Sequence, residues 1–382
     1  MNNNPRKDYI PKDARIFVAG HRGLAGSALV RKLRSLGHEN LVLRTHAELD
    51  LEDSAAVLRF FDEHRPQFVF CAAAKVGGIL ANRDYPADFI FRNLRMQSNV
   101  IECAHRFHAD RLLFLGSSCI YPKLAPQPIS EDQLLAGPLE FTNRSYAVAK
   151  IAGIEMCWAF NRQYGSRFLA AMPTNLYGPG DNYDLENSHV LPALIRKVHE
   201  ARQRGERTLA VWGTGKPRRE FLFSDDMADA CVFLMNLPQE EFQRLTGDPQ
   251  AAPLVNVGSG SDLTIAELAR KVCEVLEFDG EIVFDTGKPD GTPRKLMDSS
   301  KLFSYGWQPR TSLEEGIRLA YAEFCARTSG TGQPEPKDPP EPNNHPEPTD
   351  RRMSSASPEV GSPQAALPEA GISEANPPKA AR

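Results

Sequence analysis

Tyr146 and Lys150 lie four residues apart in the segment RSYAVAKIAG. In a helix this spacing puts the phenol and the ammonium on one face. A phenol with a pKa of about 10 is a poor acid or base at neutral pH, but a neighbouring ammonium stabilises the phenolate and lowers that pKa. The pair therefore predicts a group that exchanges a proton with a substrate carbonyl oxygen, although the spacing alone is common by chance.

Two serines and a cysteine follow the apolar run RLLFLG. A serine hydroxyl at a strand end can donate a hydrogen bond to a carbonyl oxygen that becomes an alkoxide on reduction. We predict Ser117 for this role, with Ser118 as the alternative. Cys119 comes next: a cysteine after a strand is commonly a small buried residue, but a thiol that titrates at about pH 8.5 can also serve as a base.

A glycine-rich turn, VAGHRGLAGSAL, connects a predicted strand to a predicted helix near the start of the chain. Gly20 permits the tight turn, Gly23 lets the backbone approach a pyrophosphate, and Gly26 lets the helix pack closely on the strand. The helix that begins near Leu24 offers free N–H groups to phosphate. The spacing GxxGxxG predicts a dinucleotide site that resembles those of short-chain dehydrogenases.

Cationic side chains gather where the 2′ position of the cofactor ribose is expected. The second predicted strand, LVLRTHAELD, ends with Arg44 and His46 instead of the acidic residue that binds the ribose of NAD, and Arg22 lies in the glycine turn. These cations favour a 2′-phosphate and predict NADP(H), with solvated surface arginines as the alternative. Asp50 and Leu51 are predicted beside the adenine.

Apolar runs alternate with helical patterns over most of the chain. This alternation predicts an α/β fold, a Rossmann-type doubly wound parallel sheet with a smaller, interleaved α/β substrate-binding domain. We predict a flexible leader at 1–13, a mainly NADP-binding Rossmann domain at 14–180, a mainly substrate-binding lobe at 181–327 and a disordered proline-rich tail at 328–382. No partner is predicted for the tail.

The composition excludes several classes of protein. The 382 residues are 41% hydrophobic and carry a formal net charge of -4, so neither nucleic acid nor a membrane surface is predicted as a partner. No apolar stretch is long enough to span a membrane, and no apolar signal core opens the sequence. The seven cysteines form no CxxC pair, which predicts reduced thiols, no metal site and a cytoplasmic location.

Eight segments together resemble the GDP-L-fucose synthases, which are extended short-chain dehydrogenases. They are the glycine turn, CAAAKVGG, FLGSSCIYP, SYAVAKIAG, PTNLYGPGDN, NSHVLPALIRK, VWGTGKPRREF and KPDGTPRK, and the resemblance runs from about residue 15 to residue 324. It implies NADPH-dependent conversion of GDP-4-keto-6-deoxy-D-mannose to GDP-L-fucose, by epimerisation at C3 and C5 and reduction at C4. It also implies a homodimer, with the helices around 95–107 and 145–164 at the interface.

A double epimerisation needs an acid and a base beyond the serine, tyrosine and lysine. The C4 ketone acidifies the hydrogens on both neighbouring carbons, and each inversion uses a base on one face and an acid on the other. The resemblance implies Cys119 as the base and His189, in NSHVLP, as the acid, a role that suits an unperturbed pKa of about 6.5. It also places His189, with Lys150 at the nicotinamide ribose, among the cofactor-binding residues.

The same resemblance implies the remaining site residues. Cofactor contacts are implied in PTNLYG, for Asn175, Leu176, Tyr177 and Gly178. Contacts with the GDP-sugar are implied for Lys197, Trp212, Arg219 and Asp290. Cationic groups can neutralise a diphosphate, while an aromatic ring and a carboxylate can orient base and ribose. Arg218 or Arg294 are alternatives to Arg219. Family members often carry arginine at the position of His46, so Arg22 and Arg44 are left to determine the preference for NADP.

Two other functions remain open at this stage. Another NAD(P)-dependent nucleotide-sugar epimerase, 4,6-dehydratase or 4-reductase of the same fold would share the serine, tyrosine and lysine. A dehydratase needs an acidic group where this chain has Cys119, and an epimerase or 4-reductase does not need a cysteine–histidine pair. A catalytically inactive NADP-binding scaffold should lack part of the Ser–Tyr–Lys set, yet all three residues are present.

Overall fold

A computed structural model describes residues 8–185, 188–288 and 290–329 of the chain. Residues 1–7 of the predicted leader and residues 330–382 of the predicted tail lie outside the described residues. Within the predicted leader, Ile10 is buried and its N–H donates to Asn236 Oδ1 at 3.0 Å. This part of the leader therefore packs against the folded chain.

Strands and helices alternate along the described residues. The strands are β1 (Ile16–Ala19), β2 (Leu41–Val42), β3 (Phe68–Cys71), β4 (Arg111–Leu115), β5 (Phe168–Pro173), β6 (Asn175–Tyr177), β7 (Thr208–Trp212), β8 (Arg218–Phe223), β9 (Leu254–Val257), β10 (Asp262–Thr264), β11 (Glu281–Asp285) and β12 (Arg294–Lys295). The helices are α1 (Leu24–Ser35), α2 (Ser54–His64), α3 (Ile79–Asp84), α4 (Pro86–Arg106), α5 (Arg144–Tyr164), α6 (Val190–Arg204), α7 (Ser224–Met235), α8 (Gln239–Thr246), α9 (Ile265–Val275), α10 (Ser300–Ser304) and α11 (Leu313–Thr328).

Six strands form one parallel sheet in the order β2–β1–β3–β4–β5–β9. Every residue of β1, β3, β4 and β5 is buried, as expected when helices cover both faces of a parallel sheet. The strand order reverses between β1 and β3, and open α/β sheets bind ligands at the carboxyl ends of strands at such a point. The predicted Rossmann-type fold class is confirmed.

The alternation of side chains along the strands divides the main core between the two faces of the sheet. Ile16 and Val18 of β1 pack into a core that includes α1 and α7, whereas Phe17 and Ala19 pack into a core that includes α2, α4 and α5. The sheet is thus held as the middle of three layers. Among the described helices, none has both the length and the apolar character to cross a bilayer.

A smaller lobe is centred on β8, which pairs with β6 and β12 in parallel and with β10 antiparallel. β7 and β11 form a separate parallel pair. The core of this lobe includes Leu194 of α6, Val272 of α9 and Ile317 of α11. β9 and α7 follow residue 181 in the chain, but β9 is an edge strand of the main sheet and α7 packs in the core with α1. The two parts are therefore interleaved, while the predicted domain boundaries remain predictions.

Candidate active site

A cavity of about 450 Å³ opens at the carboxyl ends of the central strands. The residues from the sequence analysis that line it are Gly20, Arg22, Gly23, Leu24, Gly26, Arg44, His46, Leu51, Ser117, Ser118, Tyr146, Lys150, Asn175, Leu176 and His189. Three of the proposed cofactor residues, Asp50, Tyr177 and Gly178, do not line it. The cavity therefore joins the glycine turn to the serine, tyrosine and lysine.

The glycine turn has the geometry of a phosphate cradle. Gly20 has φ 79°, and a Cβ on it would lie 2.7 Å from the backbone nitrogen of Ala73, so only glycine fits. A Cβ on Gly26 would overlap the carbonyl oxygen of Gly20, which explains the close packing of α1 on β1. Gly23 caps α1 without a side-chain hydrogen bond, and the first turn carries no acidic residue. The first N–H groups of α1 thus suit an anionic group, and the cradle fits a dinucleotide pyrophosphate.

Cationic side chains line the far end of the same cavity. The Arg44 guanidinium donates to the Leu43 carbonyl at 2.8 Å and lies 2.6 Å from His64 Nε2. His46 Nδ1 lies 3.8 Å from Asp50 Oδ1, so Asp50 pairs with His46. With Arg22 this end suits a phosphate on the adenine ribose.

The side chain of Tyr177 lies in the core of the smaller lobe. It is 1% exposed, and its ring packs 6.5 Å from the Phe221 ring and 5.7 Å from the Phe223 ring, centroid to centroid. Burial raises the pKa of its phenol. Gly178 follows with φ 148°, where a Cβ would collide with Ser224. These two residues shape the chain behind the cavity, and the side chain of Tyr177 has no access to a ligand in it.

Ser117, Tyr146 and Lys150 converge at one end of the cavity. Ser117 caps a short 3₁₀ turn, Ser118–Ile120, directly after β4, and α5 carries Tyr146 and Lys150. Lys150 is 2% exposed; its Nζ donates to the Leu115 carbonyl at 2.8 Å and lies 5.9 Å from the centroid of the Tyr146 ring. Burial lowers the pKa of Lys150 to about 8.

The sequence analysis expected Lys150 to lower the pKa of Tyr146, and the structure differs on this point. Burial is the largest influence and raises the pKa of the phenol, the charge of Cys119 raises it further, and a hydrogen bond with Ser117 opposes the rise. Tyr146 is consequently protonated at neutral pH. This is the form that can give a proton to an alkoxide.

Cys119 follows Ser117 and Ser118 in the short 3₁₀ turn but does not line the cavity, whereas His189 does. Cys119 is 6% exposed, and its N–H donates to Ser117 Oγ at 3.5 Å. Burial raises the pKa of its thiol, opposed first by the charge of Lys295, then by a hydrogen bond with Ser117 and the charge of Lys150. His189 stands at the N-terminus of α6 without capping the helix through its side chain, and it lines the cavity. Desolvation lowers the pKa of the His189 imidazole, although the residue is exposed.

An aromatic and cationic surface lies on the smaller lobe. Trp212 is 50% exposed, and Lys197 Nζ lies 5.2 Å from the centroid of its ring. Lys197 also donates to the Ala210 carbonyl at 3.1 Å, and burial lowers its pKa. Lys288 Nζ lies 5.4 Å from the same ring. The arrangement provides a stacking platform with two adjacent cations.

Strand alternation distinguishes the three candidate arginines. Arg218 of β8 and Arg294 of β12 are opposite each other in register and both bind the Asp262 carboxylate, at 2.9 Å and 2.5 Å. Arg219 and Lys295, the next pair in register, face the other side of these strands. Arg218 and Arg294 both form ion pairs with Asp262, so Arg219 is the arginine of the three that best suits a ligand.

Arg219 is held beside Asp290. Its guanidinium donates to the Thr292 carbonyl at 2.5 Å; burial lowers its pKa and the charge of Asp290 opposes this. Asp290 accepts hydrogen bonds from the N–H and the hydroxyl of Thr214, at 2.9 Å and 2.7 Å, and these bonds lower its pKa. Both residues lie on loops or strand ends of the smaller lobe.

Sequence reasoning missed Lys288 and Lys295. Both belong to the segment KPDGTPRK, from which only Asp290 and Arg294 were selected. β12 spans two residues, so no apolar periodicity marks it. The one available signal was the alternation of Arg294 and Lys295, which directs the two cations to opposite faces if the segment is a strand.

Comparisons with known proteins agree with this geometry. The model of the family described as NAD dependent epimerase/dehydratase matches residues 16–245. The chain is 58% identical over 310 residues to "GDP-L-fucose synthase 1" of Arabidopsis thaliana, covering 81% of this chain and 93% of the relative. It is 53% identical over 310 residues to "GDP-L-fucose synthase" of Escherichia coli strain K12, covering 81% and 96%. Among solved structures, a GDP-L-fucose synthetase from Naegleria fowleri bound to NADP is similar with a TM-score of 0.75 and 29% identity, over 84% of this chain and 95% of that one.

Proposed function

The chain belongs to the NAD dependent epimerase/dehydratase family and, within it, to the GDP-L-fucose synthases, and on this premise we propose that it converts GDP-4-keto-6-deoxy-D-mannose to GDP-L-fucose with NADPH. The family resemblance found in the eight sequence segments is confirmed. One observation of this structure carries the proposal: Ser117, Tyr146, Lys150 and His189 line one cavity, and the N–H of Cys119 donates to Ser117 Oγ at 3.5 Å. The residues proposed for epimerisation therefore lie next to those proposed for reduction.

NADP(H) is the cofactor, and NADPH supplies the hydride that reduces the C4 ketone. The glycine turn and the N–H groups at the start of α1 would hold its pyrophosphate. Arg22, Arg44 and His46 would bind the 2′-phosphate, and Lys150 would bind the nicotinamide ribose. The glycine turn supports these assignments, because a Cβ at Gly20 or Gly26 would collide with neighbouring backbone, so that only glycine allows this tight strand–helix turn.

Epimerisation is assigned to Cys119 and His189. The Cys119 thiolate removes the proton from C3 or C5, and the electron pair moves to the C4 oxygen to form an enolate. Ser117 and Tyr146 donate hydrogen bonds to that oxygen. His189 returns a proton to the opposite face, aided by the negative diphosphate of the substrate, which raises the pKa of the imidazole. Solvent exchange then restores both groups for the second inversion.

Reduction is assigned to Ser117, Tyr146 and Lys150. Ser117 donates to the C4 oxygen, and Tyr146 gives that oxygen its proton as the alcohol forms. The Lys150 ammonium stabilises the charge left on the phenol. Because Tyr146 is protonated at neutral pH, it enters the step in the form that the step requires.

The smaller lobe would bind the GDP moiety. Lys197 and Arg219 suit the diphosphate, Trp212 suits stacking with the guanine base, and Asp290 suits the ribose hydroxyls. The proximity of Lys197 to Trp212 and of Arg219 to Asp290 supports this division.

A homodimer through α4 and α5 is the proposed assembly. Phe91 of α4 is 60% exposed and Val148 of α5 is 37% exposed, and pairing these helices with those of a second copy would cover both. A cytoplasmic location is proposed as well. The free thiols of all seven cysteines support it.

The identity of the product distinguishes this proposal from a 4-reductase of the same fold. When the protein is incubated with GDP-4-keto-6-deoxy-D-mannose and NADPH, the product identified by NMR should be GDP-L-fucose, with one NADPH consumed per sugar. A product with the unaltered configuration at C3 and C5, GDP-D-rhamnose or GDP-6-deoxy-D-talose, would overturn the proposal.

A further inference from the structure

Glu220 is a fully buried acidic residue of β8, next to Arg219. It is 0% exposed, and both oxygens of its carboxylate accept hydrogen bonds from the backbone of other segments. Oε1 accepts from the N–H of Gly260 at 2.8 Å, and Oε2 accepts from the N–H of Met297 at 3.0 Å. Burial raises the pKa of this carboxyl, and the bonds from Met297 and Gly260 oppose the rise. Burying such a group is costly unless it is hydrogen-bonded, yet none of the reaction steps above uses it.

The backbone carbonyl of Glu220 is bound to residues that line the cofactor cavity. It accepts from Asn175 Nδ2 at 2.8 Å and from Thr174 Oγ1 at 3.2 Å. Thr174 and Asn175 follow β5 directly, and both line the cavity. The N–H of Thr174 donates in turn to the carbonyl of Val257, the last residue of β9, at 3.1 Å. The main chain of Glu220 is therefore connected to the carboxyl ends of two strands of the main sheet.

The carboxylate of Glu220 connects two further segments. The loop that follows β9 passes so close that a Cβ on Gly258 would lie 2.3 Å from Glu220 Oε1, and Gly260, with φ 78°, donates its N–H to the same oxygen. Met297 lies two residues beyond β12, the strand that pairs with β8 beside Arg219. Glu220 thus joins the end of β9, which belongs to the main sheet, to β8 and β12 of the smaller lobe.

These bonds fix the strand that carries Arg219, the proposed ligand of the substrate diphosphate. Successive residues of a strand point to opposite faces, so Glu220 holds β8 from the face opposite to Arg219. Hydride transfer requires C4 of the sugar, bound to the smaller lobe, to meet the nicotinamide, bound in the main domain. A displacement of about 1 Å at such a contact can lower the rate about 100-fold.

We infer, on the premise of the proposed function, that Glu220 is a positioning residue that aligns the sugar-binding strand β8 with the cofactor cavity, so that C4 of the bound sugar meets the nicotinamide. Glu220 neither touches the substrate nor exchanges a proton with it. It acts through Arg219 on one side and through Thr174 and Asn175 on the other.

The test compares Glu220→Gln and Thr174→Val with the wild type. Glu281→Gln is the matched control, because Glu281 is an exposed glutamate on β11 of the same lobe. Glutamine places an NH₂ group against one of the two N–H donors, whereas valine removes the Thr174 hydroxyl and keeps a similar shape.

Hydride transfer is measured as the first turnover of GDP-L-fucose with NADP⁺, both saturating, by stopped-flow absorbance of NADPH. The same experiment with GDP-L-fucose deuterated at C4 gives the isotope effect. The Kd of NADP⁺ and the Kd of GDP are measured separately by calorimetry, and urea unfolding reports the stability of each variant.

For Glu220→Gln we expect the first-turnover rate to fall about tenfold or more, with a primary isotope effect. The Kd values of NADP⁺ and GDP should stay at those of the wild type, because the glycine turn, Lys197 and Trp212 lie outside the bonds of Glu220. Thr174→Val should show a smaller fall of the same kind, and Glu281→Gln should match the wild type.

A wild-type rate in folded Glu220→Gln would overturn the inference. A fall without an isotope effect, or one matched by an equal loss of affinity for either ligand, would also overturn it, and the latter would make Glu220 a support of one binding site. If Glu220→Gln does not fold, Thr174→Val decides, and a wild-type rate in that variant would overturn the inference. Absence of both GDP-L-fucose oxidation and GDP-L-fucose formation in the wild type would instead refute the proposed function.

Discussion

Replacing Lys150 by methionine should stabilise the folded chain while it abolishes the reduction. Lys150 is 2% exposed, and burial lowers its pKa from 10.5 to about 8. Each pKa unit corresponds to about 1.4 kcal/mol, so holding this ammonium in the folded protein costs about 3 kcal/mol below pH 8. Methionine removes that cost but leaves the Leu115 carbonyl without its donor, which costs about 1–3 kcal/mol. The variant should therefore be as stable as the wild type at pH 7, or up to about 2 kcal/mol more stable.

The pH dependence provides the sharper form of this prediction. The pKa of Lys150 is lower in the folded state than in the unfolded state. Between about pH 8 and 10.5 the unfolded chain holds the proton and the folded chain does not, so the wild type gains stability as the pH rises through this window. Lys150→Met lacks the gain, and its advantage over the wild type should shrink by about 3 kcal/mol across the window.

Urea unfolding of both proteins at pH 7, 8, 9 and 10, followed by circular dichroism, measures this difference. Lys271→Met serves as the control, because Lys271 of α9 is only partly buried and forms ion pairs with Glu274 and Glu314. A Lys150→Met protein that is less stable than the wild type by more than about 1 kcal/mol at pH 7, or a difference that does not change with pH, would refute the burial argument.

Three further predictions concern the active site and the exposed face of α4 that carries Phe91. Tyr146→Phe should lower the rate of NADPH oxidation at least 100-fold, because the proton donor to the C4 oxygen is lost, while deuterium uptake at C3 and C5 should fall far less, because Ser117 still donates to the enolate oxygen; equal losses of both signals would show that Tyr146 is not the specific proton donor of the reduction. Arg44→Ala should raise the KM for NADPH about tenfold and leave the KM for NADH nearly unchanged; an equal change for both cofactors would show that Arg44 does not face the 2′-phosphate. Phe91→Glu should give a folded monomer in analytical ultracentrifugation. Phe91 is 60% exposed, and the negative charge of the introduced glutamate would oppose pairing of α4 with a second copy. An unaltered dimer would exclude this face of α4 as the interface.

The parallel sheet was predictable because its strands are continuous apolar runs with turn residues between them. β1, β3, β4 and β5 are buried on both faces, and the glycine turn marks the first crossover. The strands of the smaller lobe carry a weaker signal. β12 has two residues, and its partner β8 lies more than 70 residues earlier in the chain, so local sequence does not encode the pairing.

The site was predictable where a local pattern fixes the position of a side chain. The spacing of Tyr146 and Lys150 on α5 and the glycine turn are of this kind. The pKa of Tyr146 was not predictable, because it depends on burial by residues from distant segments. The same holds for Tyr177, which follows directly after two cavity-lining residues but turns into the core of the smaller lobe. The position of Lys295 opposite Arg219 depends on the pairing of β12 with β8.

Deuterium incorporation into the product tests the central claim most directly. Wild type and Cys119→Ser are each given GDP-4-keto-6-deoxy-D-mannose and NADPH in deuterated water, and deuterium at C3 and C5 is measured together with NADPH oxidation. The account predicts GDP-L-fucose deuterated at both carbons from the wild type, and loss of deuterium and of product in the variant. NADPH oxidation by the wild type without deuterium at either carbon would contradict it, because the chain would then reduce C4 without epimerisation and Cys119 would be a buried structural residue.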